Sequence, residues 1–413
     1  MSTQRQIFLQ NVRDYTENSP FLLKFCHFCF VVWHNLRCFK HNNRMKKKVN
    51  FSAVSLCLCL VFCFLAQPSL NKRAYAYADC FTIYADNRVY KIYPPQLYYG
   101  FNGLDFLDKT GVVERIVADS LINPTDATIT FLPNQKELFV FTKERQGRAI
   151  NQSKLRAEIE YALLSGKREI FIKSEPIDAL TTIIELKKQT NLRAQFTTLY
   201  SYSSPERKNN IALAVSFING SVIKNGDIFS FNSAVGVRTE ERGFLPAKVI
   251  LNGEFADGVG GGVCQVSTTL YNAALLAGLK IEECHRHSLR VDYVQPSFDA
   301  MVSDNFSDLK IKNDTGAPVY IKGESDGEKL TFSIYGLKPI YHYELLSSVL
   351  EVKEAKSTIM QKVSGEEKDV YPKNGLISEG YILIYKGEEL IEKRKIRSDE
   401  YKCLNGVFYV DKQ

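Results

Sequence analysis

The chain has 413 residues, 45% hydrophobic and 24% charged. That is room for two or three domains, and it excludes a mostly disordered chain, a collagen-like repeat and a multi-span membrane protein. The formal charge of +7 does not mark a nucleic-acid binder: residues 1–78 hold 11 Lys and Arg against 2 Asp and Glu, which leaves 42 against 44 in the remainder.

The N-terminus reads as an address. Lys46–Lys48 form a charged start, Val49–Ala66 an apolar stretch, and Ala74-Tyr75-Ala76-Tyr77-Ala78 offers small residues at signal-peptidase spacing. Residues 45–78 are therefore expected to export the chain, with cleavage after Ala76 or Ala78, or else to stay as its membrane anchor. Met45 then reads as the true start and residues 1–44 as a leader or non-native extension. Six of the ten cysteines precede residue 79; Cys80, Cys264, Cys284 and Cys403 are too few for a disulfide scaffold.

Residues 79–195 read as a small α+β unit. Thr82–Tyr93 pairs two β-rich runs about Asp86-Asn87, and Phe131 and Phe139–Thr142 suggest further strands. Ser153–Leu164 predicts a helix capped by Ser153 and ended by Gly166, followed by a short strand at Ile170–Lys173. This unit contains no histidine and no catalytic constellation.

Residues 196–340 carry the chemistry. Ser204-Pro205 opens a helix with Ile211, Val215 and Ile218 on one face, and Asn225-Gly226 turns into an aromatic-rich strand at Ile228–Asn232. Gly258–Asn272 reads GVGGGVCQVSTTLYN, with a helix from Gln265 onward presenting Val266, Leu270, Ala273 and Ala277. Strands are expected at Ser288–Val294, Val319–Gly323 and Leu330–Tyr335. In residues 341–413, Glu351–Asp369 reads as a linker or exposed helix, and Gly380–Tyr385 and Gly406–Val410 as strands of a small β module.

Glycines 260–262 permit close backbone approach and put Cys264 at a helix start, where free N–H groups favour a thiolate and can hold an oxyanion. A nucleophilic cysteine needs a base and an orienting group. His285 and His287 alternate about twenty residues on, so one at most meets Cys264; Asp292 and Asp299 are candidate orienters. A buried structural thiol, a Cys264–Cys284 disulfide and a zinc site of Cys264, Cys284, His285 and His287 are the alternatives.

GGGVCQVSTTLYNAAL, with FSFNSAVGVRTEERGF upstream and HSLRVDYV and DLKIKNDTGAPVYI downstream, resembles the VanW domain, whose name comes from a vancomycin-resistance cluster. The likeness covers roughly residues 196–337. The preceding unit resembles a peptidoglycan-binding domain, and GYILIYKGEELIEKRKIRSDEY resembles a G5-like extension. The resemblance implies a multidomain α+β wall protein of a Gram-positive-type bacterium: a small α+β wall-binding unit, an α+β domain with a helix-start cysteine, and a β-rich C-terminal module. It implies an L,D-transpeptidase with Cys264 as nucleophile, His287 as its partner and Asp299 as orienter. The alternatives are a cysteine carboxypeptidase or endopeptidase and a non-catalytic wall-binding protein. Gly261, Gly262, Gln265, Ser267, Thr268 and Tyr293 fall at family-typical positions and are expected against substrate. Arg238 or Arg207 is expected to hold a stem carboxylate. No cofactor or metal is expected, peptidoglycan stem peptides are the expected partners, and the membrane is met only through an uncleaved N-terminus. Two positions depart from the family pattern: Asn225-Gly226 stands for Pro-Gly, and Ser297 for a glycine.

Overall fold

A computed structural model of the chain describes residues 80–93, 97–99, 106–108, 111–251, 254–304, 306–362 and 367–410. The export and leader readings of residues 1–78 lie outside them. Among the described residues no helix is long and apolar enough to cross a membrane. Among the described residues the architecture mixes six α-helices with many strands in small sheets, in keeping with α+β.

Phe81–Ala85 and Arg88–Ile92 form the expected hairpin, with Asp86 at φ 50° in its turn. Glu169–Ile172 adds to Phe81–Ala85 in parallel, which requires a long crossover. That crossover carries helices α1 (Val112–Ser120) and α2 (Gln152–Ser165). They bury Val113, Ile116, Leu155 and Ile159 against Ile83 and Ile92. The cap of α2 is not Ser153: Asn151 Oδ1 accepts from Lys154 N at 3.1 Å, so the helix begins earlier. Thr128–Phe131 pairs with Phe139–Thr142. The short α3 (Ile183–Lys187) is held by a Thr182–Glu185 capping box.

The second core surrounds the cysteine helix. Asn191–Leu199 crosses the boundary expected at residue 195 and pairs with Lys329–Gly336, which pairs in turn with Val319–Ser325. Ser204 caps α4 (Pro205–Ile218), as expected from Ser-Pro. The aromatic run after Asn225-Gly226 is strand only over Ile228–Ser230; the Ser230 side chain then caps α5 (Phe231–Val235). The hairpin Pro246–Leu251/Glu254–Val259 leads to α6 (Val263–Leu276). Val266, Leu270, Ala273 and Ala277 are fully buried as expected, and so are Thr269 and Asn272, because α6 is enclosed on every side.

Two expectations fail. Ser288–Val294 is irregular, not a strand: Leu289 and Val291 alternate inward because they pack, without pairing to a neighbour. Over its described residues, Glu351–Asp369 holds strand and no helix: the end of His342–Lys353 and all of Ser357–Gln361. The strand His342–Lys353 pairs with Gly375–Lys386, which pairs with Glu389–Tyr401. Ile382 and Ile384 of this sheet belong to the same core as α6.

Candidate active site

Cys264 is the second residue of α6 and half-buried. The glycines before it are packing devices. A Cβ on Gly261 would stand 2.7 Å from the Ala247 carbonyl carbon, and Gly262 takes φ 108° against the Arg207 side chain. Asn210, fully buried, ties this turn down. Its Nδ2 donates to Gly261 O (3.0 Å) and Leu245 O (2.8 Å), and its Oδ1 accepts from Leu245 N (2.7 Å). Val263 N–H and Gln265 N–H are spent on Gly260 O and Gly262 O, while the Cys264 N–H meets no acceptor among the described residues.

The thiol meets Val302 O at 3.4 Å and the His287 ring within hydrogen-bonding reach. His287 Nδ1 lies 2.7 Å from Asp299 Oδ2, which leaves Nε2 for the sulfur. The same carboxylate oxygen accepts the His287 backbone N–H at 2.7 Å. Cysteine, histidine and aspartate thus form a relay whose last two members are 5% and 1% exposed.

Its electrostatics follow from that burial. Burial alone would lower the His287 pKa, but the bonds to Asp299 and Cys264 carry it up to about 9. Burial alone would raise the Cys264 thiol; the hydrogen bond and charge of His287, with Arg238 farther off, bring it below its ordinary value. Burial would also raise Asp299, yet His287, Arg397 and Tyr401 hold it at about 2. His287 thus favours the thiolate form of Cys264, and Cys264 the imidazolium form of His287, with an ionised aspartate behind them.

The other predicted residues separate into groups. Ser267 and Thr268, expected against substrate, are fully buried. Their hydroxyls meet the Ala300 backbone: Ser267 Oγ donates to Ala300 O at 2.6 Å and Thr268 Oγ1 accepts from Ala300 N at 2.9 Å. They fix the segment that carries Asp299. Gln265 is likewise buried; its Oε1 accepts from Arg207 Nη2 (2.7 Å) and its Nε2 donates to Leu199 O (2.9 Å). Arg238 pairs with Asp304 and donates to Asn232 Oδ1 at 2.6 Å, so its fork is consumed. Arg207 has only neutral partners, Gln265 and Ser203 (3.2 Å), in a half-buried place beside Cys264 and Tyr293. Tyr293 reaches the Thr268 hydroxyl, and burial pushes its phenol well up.

The alternatives fare differently. Asp292 is exposed and paired to Arg290 and Lys373, so it orients nothing. His285 Nε2 turns to Glu283 at 2.9 Å. Cys284 is a free thiol beside Arg397 Nη1 (3.5 Å), and burial pushes its pKa up to about 12. Cys284 and His285 therefore turn away from the Cys264–His287 pair, and no cluster suited to a metal occurs among the described residues. Cys80 and Cys403 are free as well.

Sequence reasoning missed Arg397 and Tyr401. Both come from the strand Glu389–Tyr401 and reach the other aspartate oxygen: Arg397 Nη2 donates to Asp299 Oδ1 at 2.6 Å and Tyr401 OH at 2.5 Å. The available signal was the alternation Arg397, Asp399, Tyr401, three polar-tipped residues on the inward side of one strand.

Residues 206–335 match the family model described as VanW like protein. The chain is 34% identical over 178 residues to "Uncharacterized protein YoaR" of Bacillus subtilis, covering 43% of this chain and 57% of that protein. It is 30% identical over 135 residues to "Vancomycin B-type resistance protein VanW" of Enterococcus faecalis, covering 31% of this chain and 49% of that protein. The chain thus spans about half the length of the curated relatives it matches. No solved structure matches it. Residues 206–335, which contain the cysteine, the histidine and the aspartate just described, are thus a VanW-like domain within the chain.

Proposed function

We infer that the protein is a cell-wall enzyme that transfers acyl groups between peptidoglycan stem peptides through Cys264. The observation that carries this reading is the relay Cys264–His287–Asp299 at the start of a buried helix. A thiolate already paired with an imidazolium is the activated form of a cysteine nucleophile. The relative named for vancomycin resistance supports a role in the cell wall.

In this reading the Cys264 thiolate attacks the carbonyl of the third residue of a tetrapeptide stem. The Cys264 N–H stabilises the oxyanion. The imidazolium gives its Nε2 proton to the departing D-alanine nitrogen, and a thioester remains. The amine of a second stem's third residue then attacks the thioester, loses a proton to neutral His287, and expels the thiolate as a 3→3 amide forms. Of the two expected arginines, Arg207 is the one assigned to a stem carboxylate, because its guanidinium bonds Gln265 and Ser203 and no carboxylate, while Arg238 is paired to Asp304. Gln265 holds that guanidinium in place. The reading puts the protein outside the cell, with residues 45–78 as its export segment.

The test is incubation of the purified protein and its Cys264→Ala variant with a tetrapeptide muropeptide, followed by mass spectrometry. Loss of D-alanine with 3→3 dimers, absent in the variant, is the expected result. Shortened monomers alone would make the enzyme a hydrolase. No turnover with equal peptide binding by both proteins would leave a wall-binding protein and refute the catalytic reading.

A further inference from the structure

The strand Glu389–Tyr401 lies in the C-terminal module, more than fifty residues beyond the end of the VanW-like match at residue 335. It is nevertheless the source of both side-chain donors on Asp299 Oδ1. Arg397 and Tyr401 are four residues apart on one strand, so both point to the same side. Their side chains are buried: Arg397 is 14% exposed and Tyr401 1%. Tyr401 OH also accepts from Ser297 N at 2.8 Å, which ties it to the loop that delivers Asp299.

Arg397 is itself held from three elements. Asp399 Oδ2 lies 2.6 Å from its Nε, the Tyr271 ring of α6 is 5.9 Å from its guanidinium carbon, and Cys284 receives its Nη1. Arg286 stands 4.0 Å from the far side of Asp399. On the other flank of Asp299 are His287 and, beyond it, Cys264 and Tyr293. No member of this set other than Cys264, His287 and Tyr293 lies at the thiol, so Arg397 and Tyr401 act through the aspartate.

A carboxylate with one oxygen free can rotate about its terminal bond and release the imidazole. Here Oδ2 holds the histidine by two bonds and Oδ1 is pinned by two donors. We propose that Arg397 and Tyr401 are positioning residues of the Cys264 relay, so that the C-terminal module is a working part of the catalytic unit and not an appendage for wall binding. The proposal rests on the cysteine-enzyme reading for its turnover consequence. Its geometric content, the alignment of His287 on Cys264, stands apart from the identity of the substrate.

The experiment therefore has a readout that needs no substrate. Full-length wild type, Tyr401→Phe and Arg397→Gln are alkylated at Cys264 with iodoacetamide across pH, alongside thermal unfolding and muropeptide turnover. A carboxylate with fewer donors is a stronger base toward the imidazolium. Removing the guanidinium charge works in the same direction. The upper limb of the alkylation profile should therefore rise in both variants, by roughly half a pH unit or more. Turnover should fall roughly tenfold or more with KM unchanged, since a small misplacement of a reacting group costs rates of that order. Arg397→Gln leaves two buried carboxylates short of a partner and is liable to misfold; Tyr401→Phe removes one hydroxyl and carries the test if it does. A lowered Tm with an unmoved limb in Tyr401→Phe would overturn the proposal, because a merely structural contact moves only the first. If no variant or wild type turns over muropeptide but the limb moves, the positioning role stands and the substrate reading fails.

Discussion

Substituting Asp299 by Asn tests the electrostatics of the site most sharply. The side chain keeps its size and its bond to the His287 backbone, but it loses the charge that supports the imidazolium. His287 is raised from 6.5 to about 9 against the opposing pull of its own burial. At 1.36 kcal/mol per pKa unit that is about 3 kcal/mol of net stabilisation of the charged ring. Without the carboxylate the burial cost remains and only the contact with Cys264 opposes it, so the histidine should titrate well below its wild-type value and the ion pair with Cys264 should lose roughly two orders of magnitude in population. Iodoacetamide alkylation of Cys264 followed from pH 5 to pH 10 reads this directly. Wild type should react on a plateau that ends near 9, whereas Asp299→Asn should react roughly hundredfold more slowly at neutral pH and recover only as the bare thiol ionises. An Asn variant with the wild-type rate and an upper limb still near 9 would refute the relay. The same pair makes a stability prediction. The folded pKa of His287 is raised, so its contribution is full below 6.5 and is lost as pH rises through about 9. The folded pKa of Asp299 is lowered, so its contribution is present above 3.8 and is lost as pH falls through about 2. Both act together between 3.8 and 6.5, and the Tm advantage of wild type over Asp299→Asn should be greatest there.

Other changes have defined outcomes. Arg207→Met should raise KM for a tetrapeptide muropeptide by roughly ten- to hundredfold with kcat little altered, since a charged hydrogen bond contributes about 1.5–3 kcal/mol; steady-state kinetics would show it. Gly261→Ala should cost about 1–3 kcal/mol in denaturant unfolding, because its Cβ has the Ala247 backbone 2.7 Å away. Ser297 sits at φ 65° and its hydroxyl bonds Ser378 Oγ at 2.7 Å in a fully buried place. Ser297→Ala keeps the strained backbone and orphans Ser378, so it should destabilise by about 1–3 kcal/mol. Ser297→Gly also orphans Ser378 but relieves the strain, and should be less harmful by about 1 kcal/mol in the same assay.

Part of the relay left local marks in the sequence, but the choice of His287 over His285 and of Asp299 over Asp292 came from the family resemblance. The glycine turn announces the helix start, and the alternation of His285 and His287 allows only one to face it. The hydroxyls of Ser267 and Thr268 were misassigned for a physical reason. Spacing shows that they flank the nucleophile but not whether the neighbouring segment will claim their hydrogen bonds, and Ala300 does. Residues 288–294 show the matching error, since alternating burial under a loop imitates a strand. Arg397 and Tyr401 were out of reach because their meeting with Asp299 depends on how a strand about a hundred residues downstream docks, on a register shifted between Gly380 and Tyr381 and between Ile384 and Tyr385. Their alternation with Asp399 marks a buried charged face without saying what it faces. At Ser297, where the family pattern has glycine, the hydroxyl bonds Ser378 of the C-terminal sheet; the bond from its backbone N–H to Tyr401 is one a glycine would make as well.

Turnover through Cys264 requires a covalent acyl-enzyme. It is tested most directly by mixing the protein with a tetrapeptide muropeptide, without an acceptor stem, and weighing the intact protein after a rapid quench. The account predicts a mass increase equal to the muropeptide less D-alanine, mapped to Cys264, lost on hydroxylamine treatment and absent in Cys264→Ala. D-Alanine release with no adduct on Cys264, or an adduct that survives in Cys264→Ala, would contradict it.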